Sequence, residues 1–140
     1  MLTPYVEFGG RYWSRDLGNG ELETYHNYDI LAGTMLQVAP TAHSIVMVYA
    51  SVGPTFMGKM ENNAFANSYS LGGSAMEKIG GKVGVDLTRQ VELFATLDYD
   101  HFHYGSSQAV YTPALSGYTG EPGSRTSETT ARVGVGYHFK

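Results

Sequence analysis

The sequence predicts an all-β fold, an antiparallel transmembrane β-barrel, and three observations carry that prediction. The segment Val133-Gly-Val-Gly-Tyr-His-Phe139 alternates strictly. Val133, Val135, Tyr137 and Phe139 share one parity, while Gly134, Gly136 and His138 continue the parity of Glu128, Thr130 and Arg132. Successive side chains of a strand point to opposite faces, so one face here is apolar and ends in two aromatics, and the other is small or polar. The same alternation recurs upstream. Composition is the third observation: 18 Gly and 11 Tyr stand beside only 16% charged residues. Barrel strands that cross a membrane combine an apolar lipid face, aromatics at the membrane border and a polar lumen.

About six strands follow from alternation and turn punctuation. The first covers about Pro4 to Arg15, with Val6, Phe8, Gly10 and Tyr12 on one face and Glu7, Arg11 and Arg15 on the other. Leu17-Gly-Asn-Gly20 turns the chain, because Asn and Gly accept the positive φ of hairpin turns. In the second, about Glu21 to Val38, Tyr28, Ile30, Ala32, Thr34, Leu36 and Val38 oppose Asn27, Asp29, Gly33 and Gln37. After a turn at Pro40 to His43 comes a third strand, Ser44 to about Met60, apolar on both faces and so of open orientation. Asn62 to Ser68 reads as polar loop. The fourth sets Ile79, Gly81, Val83, Val85 and Leu87 against Lys78, Lys82 and Asp86. Beyond the turn at Thr88 to Gln90, the fifth sets Val91, Leu93, Ala95, Leu97 and Tyr99 against Glu92, Thr96, Asp98 and Asp100. A long loop, about Gly105 to Thr126, leads to the terminal strand.

Loop lengths agree with a barrel. The turns at Pro40 to His43 and Thr88 to Gln90 fall at one end of the sheet, and the loops near Asn62 and Ser116 at the other, as in barrels with short periplasmic turns and longer outer loops. Several strands exceed the ~9–11 residues that cross a bilayer. Six strands fall short of the roughly eight at which such barrels begin. Either two strands are merged in this reading, N-terminal strands are missing, or chains assemble; the first two are preferred.

The chain is the size of one domain, residues 1–140. No apolar run is long enough for a transmembrane helix, and a mean hydropathy of -0.21 suits a barrel, whose strands place alternate residues on a polar interior. A net charge of -4 gives no basis for nucleic-acid binding, and the absence of Cys decides nothing. Met1-Leu-Thr-Pro4 is not a signal peptide, so the chain is expected to be the mature part of an exported protein.

From about Asn27 to Phe139 the order of elements resembles small outer-membrane barrels of the OmpX/Ail and OmpA kind. Tyr28-Asp-Ile-Leu-Ala-Gly-Thr followed by Val46-Met-Val-Tyr-Ala-Ser-Val-Gly is similar to their central hairpin. Gly84-Val-Asp-Leu, Val91-Glu-Leu-Phe-Ala-Thr-Leu-Asp-Tyr and Val133 to Phe139 are similar to their closing strands. Autotransporter translocator domains share that closing hairpin, and Leu2-Thr-Pro-Tyr-Val-Glu resembles one of their strands. The long last loop departs from OmpX, and Lys140 follows the Phe that ends such chains. The resemblance implies a bacterial outer-membrane location, a lipid bilayer as partner, and a non-enzymatic role in adhesion, reception or envelope stability; the alternative it implies is a pore or translocator. Omptin proteases match the last hairpin through Asp98-Tyr-Asp100 with His101 and His103, but the His residues take the opposite parity from the two Asp, so no catalytic residues are assigned.

Candidate site residues divide by face. Glu7, Arg11, Asp29, Lys78, Lys82, Asp86, Glu92, Asp98, Asp100 and Arg132 share the lumen parity. Their mixed signs favour a charge-compensated plug over an ion-selective pore, because about eight strands leave an interior barely wide enough for side chains and buried charges need partners. Tyr104, Tyr111, Leu115 and Tyr118 mark the long loop as the contact region for an outside protein or glycan, since Tyr with Ser and Gly gives adaptable contact area. Tyr5, Tyr12, Tyr28, Tyr49, Tyr99 and Tyr137 read as girdle aromatics at the bilayer borders. His101 and His103 have a spacing that suits a metal pair, but two ligands alone read as solvated side chains. No metal and no cofactor is assigned.

Overall fold

The computed structural model describes residues 1–64 and 67–139; residues 65–66, within the expected polar segment Asn62 to Ser68, and Lys140 lie outside the described residues. The chain forms a strongly curled antiparallel sheet, a half-barrel, from β1 (Leu2–Gly18), β2 (Glu21–Thr41), β3 (Ser44–Asn62), β4 (Asn67–Ser70), β5 (Ser74–Asp86) and β6 (Val91–Tyr104). A small hairpin follows, β7 (Val110–Thr112) and β8 (Gly117–Thr119) around a 3-10 turn at Pro113–Leu115, and then β9 (Ser124–Tyr137). The main sheet runs β1-β2-β3-β5-β6-β9, with β4 continuing the row of β5 along β3. Six long rows result, and none of the six expected strands is a merged pair.

Each face is the one alternation predicts. Val6, Phe8 and Tyr12 of β1, Ile30 and Leu36 of β2, Val83 and Val85 of β5, and Leu93 and Leu97 of β6 stand on the exposed convex side. Val135 is 68% exposed and Phe139 89%. In a water-soluble sandwich this set would be the core. The concave side holds the buried residues of both kinds, such as Asp29, Asp98 and Glu92 beside Leu31 and Phe102.

The third strand, open in the sequence, resolves through a bulge. Up to Phe56 its even residues are convex. Met57 then takes a positive φ of 54°, and between the pairs His26↔Lys59 and Tyr28↔Phe56 two residues of β3, Met57 and Gly58, oppose one of β2, Asn27. An extra residue of this kind inverts parity beyond it, so Met60 and Asn62 turn inward and are buried while Glu61 is exposed.

Curling is helped by aromatics laid over glycines on the concave face. The directly paired residues Tyr5↔Gly33, Tyr49↔Gly80 and Phe94↔Gly134 each place a ring where a Cβ would otherwise stand, a device that supports curvature at glycine positions. Tyr5 and Tyr49 are therefore interior residues and leave the expected girdle. Tyr12, Tyr28 and Tyr99 remain on the convex face, where Phe8, Tyr28 and Phe56 form a ring cluster with centroids 6.1–6.4 Å apart. Tyr137 packs edge-on against Phe139 at the other end.

The sheet does not close. Among the described residues β1 pairs only with β2, and β9 only with β6, which leaves a seam between the outer edges of β1 and β9. Met1 and the end of β9 lie at the short-turn end, where Met1 donates to the Gln37 carbonyl at 2.7 Å.

Candidate functional site

The concave face carries three tiers of side chains, each assembled from several strands. Nearest the short turns, Lys82 Nζ donates to Glu92 Oε2 at 2.8 Å and lies 4.8 Å from the Phe94 ring centre. Asp98 accepts from Tyr49 Oη and, at 2.7 Å, from Arg132 Nη1.

In the middle tier the ion pairs reach across the interior. Arg11 of β1 contacts Asp100 of β6 at 3.1 Å and Glu128 of β9 at 2.7 Å, with its guanidinium 4.1 Å over the Phe102 ring. Lys78 of β5 pairs with Glu7 of β1 at 2.8 Å. Asp29 is buried beside this group, with Arg11, Lys78, Glu7 and Asp100 as its charge neighbours. Glu7, Arg11, Asp29, Lys78, Asp100 and Glu128 are among the residues lining a polar cavity of about 270 Å³. Buried polar atoms without a protein partner, Asp100 Oδ1 and Asn27 Nδ2 among them, are of the kind satisfied by internal water.

At the loop end the interior is apolar and aromatic. Tyr25, Leu31, Met60, Tyr69, Leu71, Met76, Phe102 and Tyr104 form one buried cluster against which Trp13 packs. Trp13 stacks on Tyr25 with centroids 4.2 Å apart and donates from Nε1 to Tyr104 Oη at 3.2 Å. Tyr104 in turn donates to Asn27 Oδ1 at 2.9 Å. Tyr25 Oη lies 3.0 Å from both Glu23 Oε2 and Glu121 Oε1, which share its single proton. Burial first, and then the Glu23 carboxylate, holds the Tyr25 phenol well above its usual range. Burial raises Tyr104 also, partly offset by the Trp13 hydrogen bond. The hydrogen bond to Glu23 raises Arg15.

The long loop is ordered over this cluster. Its β7–β8 hairpin is pinned through Thr112, which is fully buried, accepts from Asn67 Nδ2 at 2.6 Å and pairs with the Thr119 hydroxyl. Tyr69 and Thr119 share a hydrogen bond at 2.8 Å. The tip presents Tyr111 and Tyr118 edge to face at 5.5 Å, with Leu115 beside them, all exposed.

Most expected lumen residues come together in these tiers: Lys82 with Glu92, Asp98 with Arg132, Arg11 with Asp100, Lys78 with Glu7, and Asp29 among them. Asp86 does not. It is exposed as the last residue of β5, although its pairing partner Glu92 is buried. Tyr104 also differs from expectation. It is the last residue of β6 and 3% exposed, so its ring supports the cluster and is out of reach of an outside partner. Val133, Val135, Tyr137 and Phe139 all stand on the convex face of the terminal row. Sequence reasoning missed Glu128 as a partner of Arg11, and the whole aromatic cluster. Trp13, Tyr25 and Phe102 carry the concave parity, which is the signal in the sequence that places them inside with the charges.

Asp98 and Asp100 are concave, while His101 and His103 are convex, so the strand itself separates acids from imidazoles. Among the described residues no three or more His, Asp or Glu side chains gather as a metal site. No family model matches the chain, and comparison with curated proteins and with solved structures found no match.

Proposed function

We propose that this chain is a membrane-embedded, plugged β-barrel protein of the bacterial outer membrane, non-enzymatic, acting through its loop end on an outside protein or glycan. The observation that carries the reading is the reversal of the usual burial: a continuous apolar convex face around an ionic and aromatic interior. Convex apolar stretches run Leu2 to Tyr12, Tyr28 to Val38, Val46 to Phe56, Ile79 to Leu87 and Val91 to Tyr99, each close to the roughly 9–11 residues of a tilted strand in a hydrocarbon core. Beyond them the convex residues turn polar at Ser14, His26, Lys59, Glu77 and His101.

Cross-lumen ion pairs support a plug. Arg11 and Lys78 bridge opposite walls, so a conducting path requires breaking partly buried pairs. Wall-to-wall contact through one pair of side chains, as in Trp13 with Tyr104, is the scale of a barrel of about eight strands. The unpaired edges of β1 and β9 are untenable in hydrocarbon, at several kcal/mol for each orphaned backbone group, so the membrane form pairs them. β1 and β9 run in opposite directions, and an antiparallel barrel therefore takes an even number of strands into the seam.

Two measurements test the proposal. The protein should fold into detergent micelles or lipid vesicles with a gel-mobility shift, and planar bilayers should show no steady single-channel conductance. Stable, monomeric folding in water without detergent would end the membrane reading, and a regular open channel would replace the plug by the transport alternative.

A further inference from the structure

The convex side of β6 carries one arrangement that neither packing nor the proposed role uses. His101 and His103 stand just beyond Tyr99, outside the apolar band, each half-buried. Their rings are nearly perpendicular, at 86°, and the two Nε2 atoms are 3.0 Å apart. His101 Nδ1 is 2.9 Å from Ser127 Oγ, which also accepts from Tyr99 Oη at 3.1 Å.

We infer that His101 and His103 form a two-imidazole chelate for a divalent late-transition metal, Cu(II) or Ni(II), on the outer face of the sheet. Metal–imidazole bonds are about 2.0–2.1 Å long, so two nitrogens 3.0 Å apart subtend roughly 90–95° at a shared ion. That bite suits two adjacent positions of a tetragonal Cu(II) or Ni(II) ion better than the wider angle of tetrahedral zinc. Ser127 supplies the orienting contact that metal-bound imidazoles usually have. With Nδ1–H of His101 donated to Ser127, its Nε2 is unprotonated and available as a ligand. In that tautomer of the metal-free pair, His103 Nε2–H donates to that nitrogen. Binding moves the His103 proton to its own Nδ1, so the neutral pair takes up the ion with no net proton release. Remaining coordination positions go to water. Glu77 lies directly across β5 from His101, and Arg125 across β9 from His103, so one neighbouring charge favours the cation and one opposes it.

The test is titration of untagged protein, folded in detergent micelles, with Cu(II) followed by electron paramagnetic resonance and calorimetry. One equivalent should bind with an axial spectrum and superhyperfine structure from two nitrogens. His101→Gln and His103→Gln should each weaken binding at least tenfold, and Ser127→Ala several-fold. His26→Gln, His43→Gln and His138→Gln should leave it unchanged. As a second readout on the unaltered protein, Cu(II) should protect His101 and His103, and not the other three, from diethyl pyrocarbonate. Binding that survives loss of both histidines, a one-nitrogen spectrum, or unselective protection would overturn the inference. The readouts follow the metal alone, so conductance or the absence of an outside partner leaves them untouched.

Discussion

Lys82→Met should destabilise the protein through the carboxylate it leaves behind. Lys82 Nζ is 2.8 Å from Glu92 Oε2, and the Glu92 side chain is 7% exposed against 22% for Lys82. Removing one member of a buried pair costs about 3–5 kcal/mol, because the other charge stays desolvated. Partial exposure of Lys82 puts this case near the lower end, about 3 kcal/mol. Glu92→Gln should cost less, about 1 kcal/mol, since the amide still accepts a hydrogen bond and the more exposed ammonium can turn toward water. The double variant has no orphaned charge and should lose only about 1–1.5 kcal/mol, giving a coupling of roughly 2.5 kcal/mol. Urea unfolding of the four proteins in micelles, followed by the gel shift, yields the cycle. Additivity to within about 0.5 kcal/mol would refute the claim that the pair is a desolvated unit.

Trp13→Ala removes a stacked indole and the hydrogen bond to Tyr104, and should cost about 3–5 kcal/mol in the same urea assay. Gly53→Ala should prevent folding, because its Cβ would sit inside contact distance of the Ile30 carbonyl on the neighbouring strand; a normal gel shift would show that this close approach is absent. Thr112→Val should release the β7–β8 hairpin by removing the hydroxyl that accepts from Asn67 and pairs with Thr119, leaving Asn67 only its longer bond to Tyr69, about 1–3 kcal/mol, seen as faster amide exchange over residues 110–119 with the main sheet unchanged. Alkaline stability follows from the tyrosines. The folded pKa of Tyr25 is raised above its ordinary 10.0, so its contribution is complete below about pH 10 and is lost as pH rises beyond it; Tyr25→Phe should flatten the alkaline limb of a stability–pH curve.

How far the sequence revealed this arrangement depended on whether a segment alternated. β1, β2, β5, β6 and the terminal row alternate cleanly, and there the face of every side chain followed from parity. β3 is apolar on both sides, so its orientation waited on the Met57 bulge. Tyr5 shares the parity of Glu7 and Arg11, so alternation places it inside and only its residue type suggests a border position, while Tyr49 sits in β3, whose orientation alternation leaves open. The hairpin at Val110–Thr119 lacked a pattern because its order comes from Thr112, Thr119, Asn67 and Tyr69, four polar residues brought together only by the fold. Likewise, the spacing of His101 and His103 was visible, but the convergence of their Nε2 atoms was not.

In the proposed membrane form the convex face meets hydrocarbon and the concave face does not. Single nitroxides at Val48, Val83 and Val135 on the convex side and at Thr130 on the concave side, in protein folded into lipid vesicles, test it through power saturation with oxygen and a water-soluble nickel chelate. The three convex sites should be relaxed strongly by oxygen and weakly by nickel, deepest near Val48 and Val83, while Thr130 should show low access to both. Strong nickel access at the convex sites, or equal oxygen access on the two faces, would contradict the account.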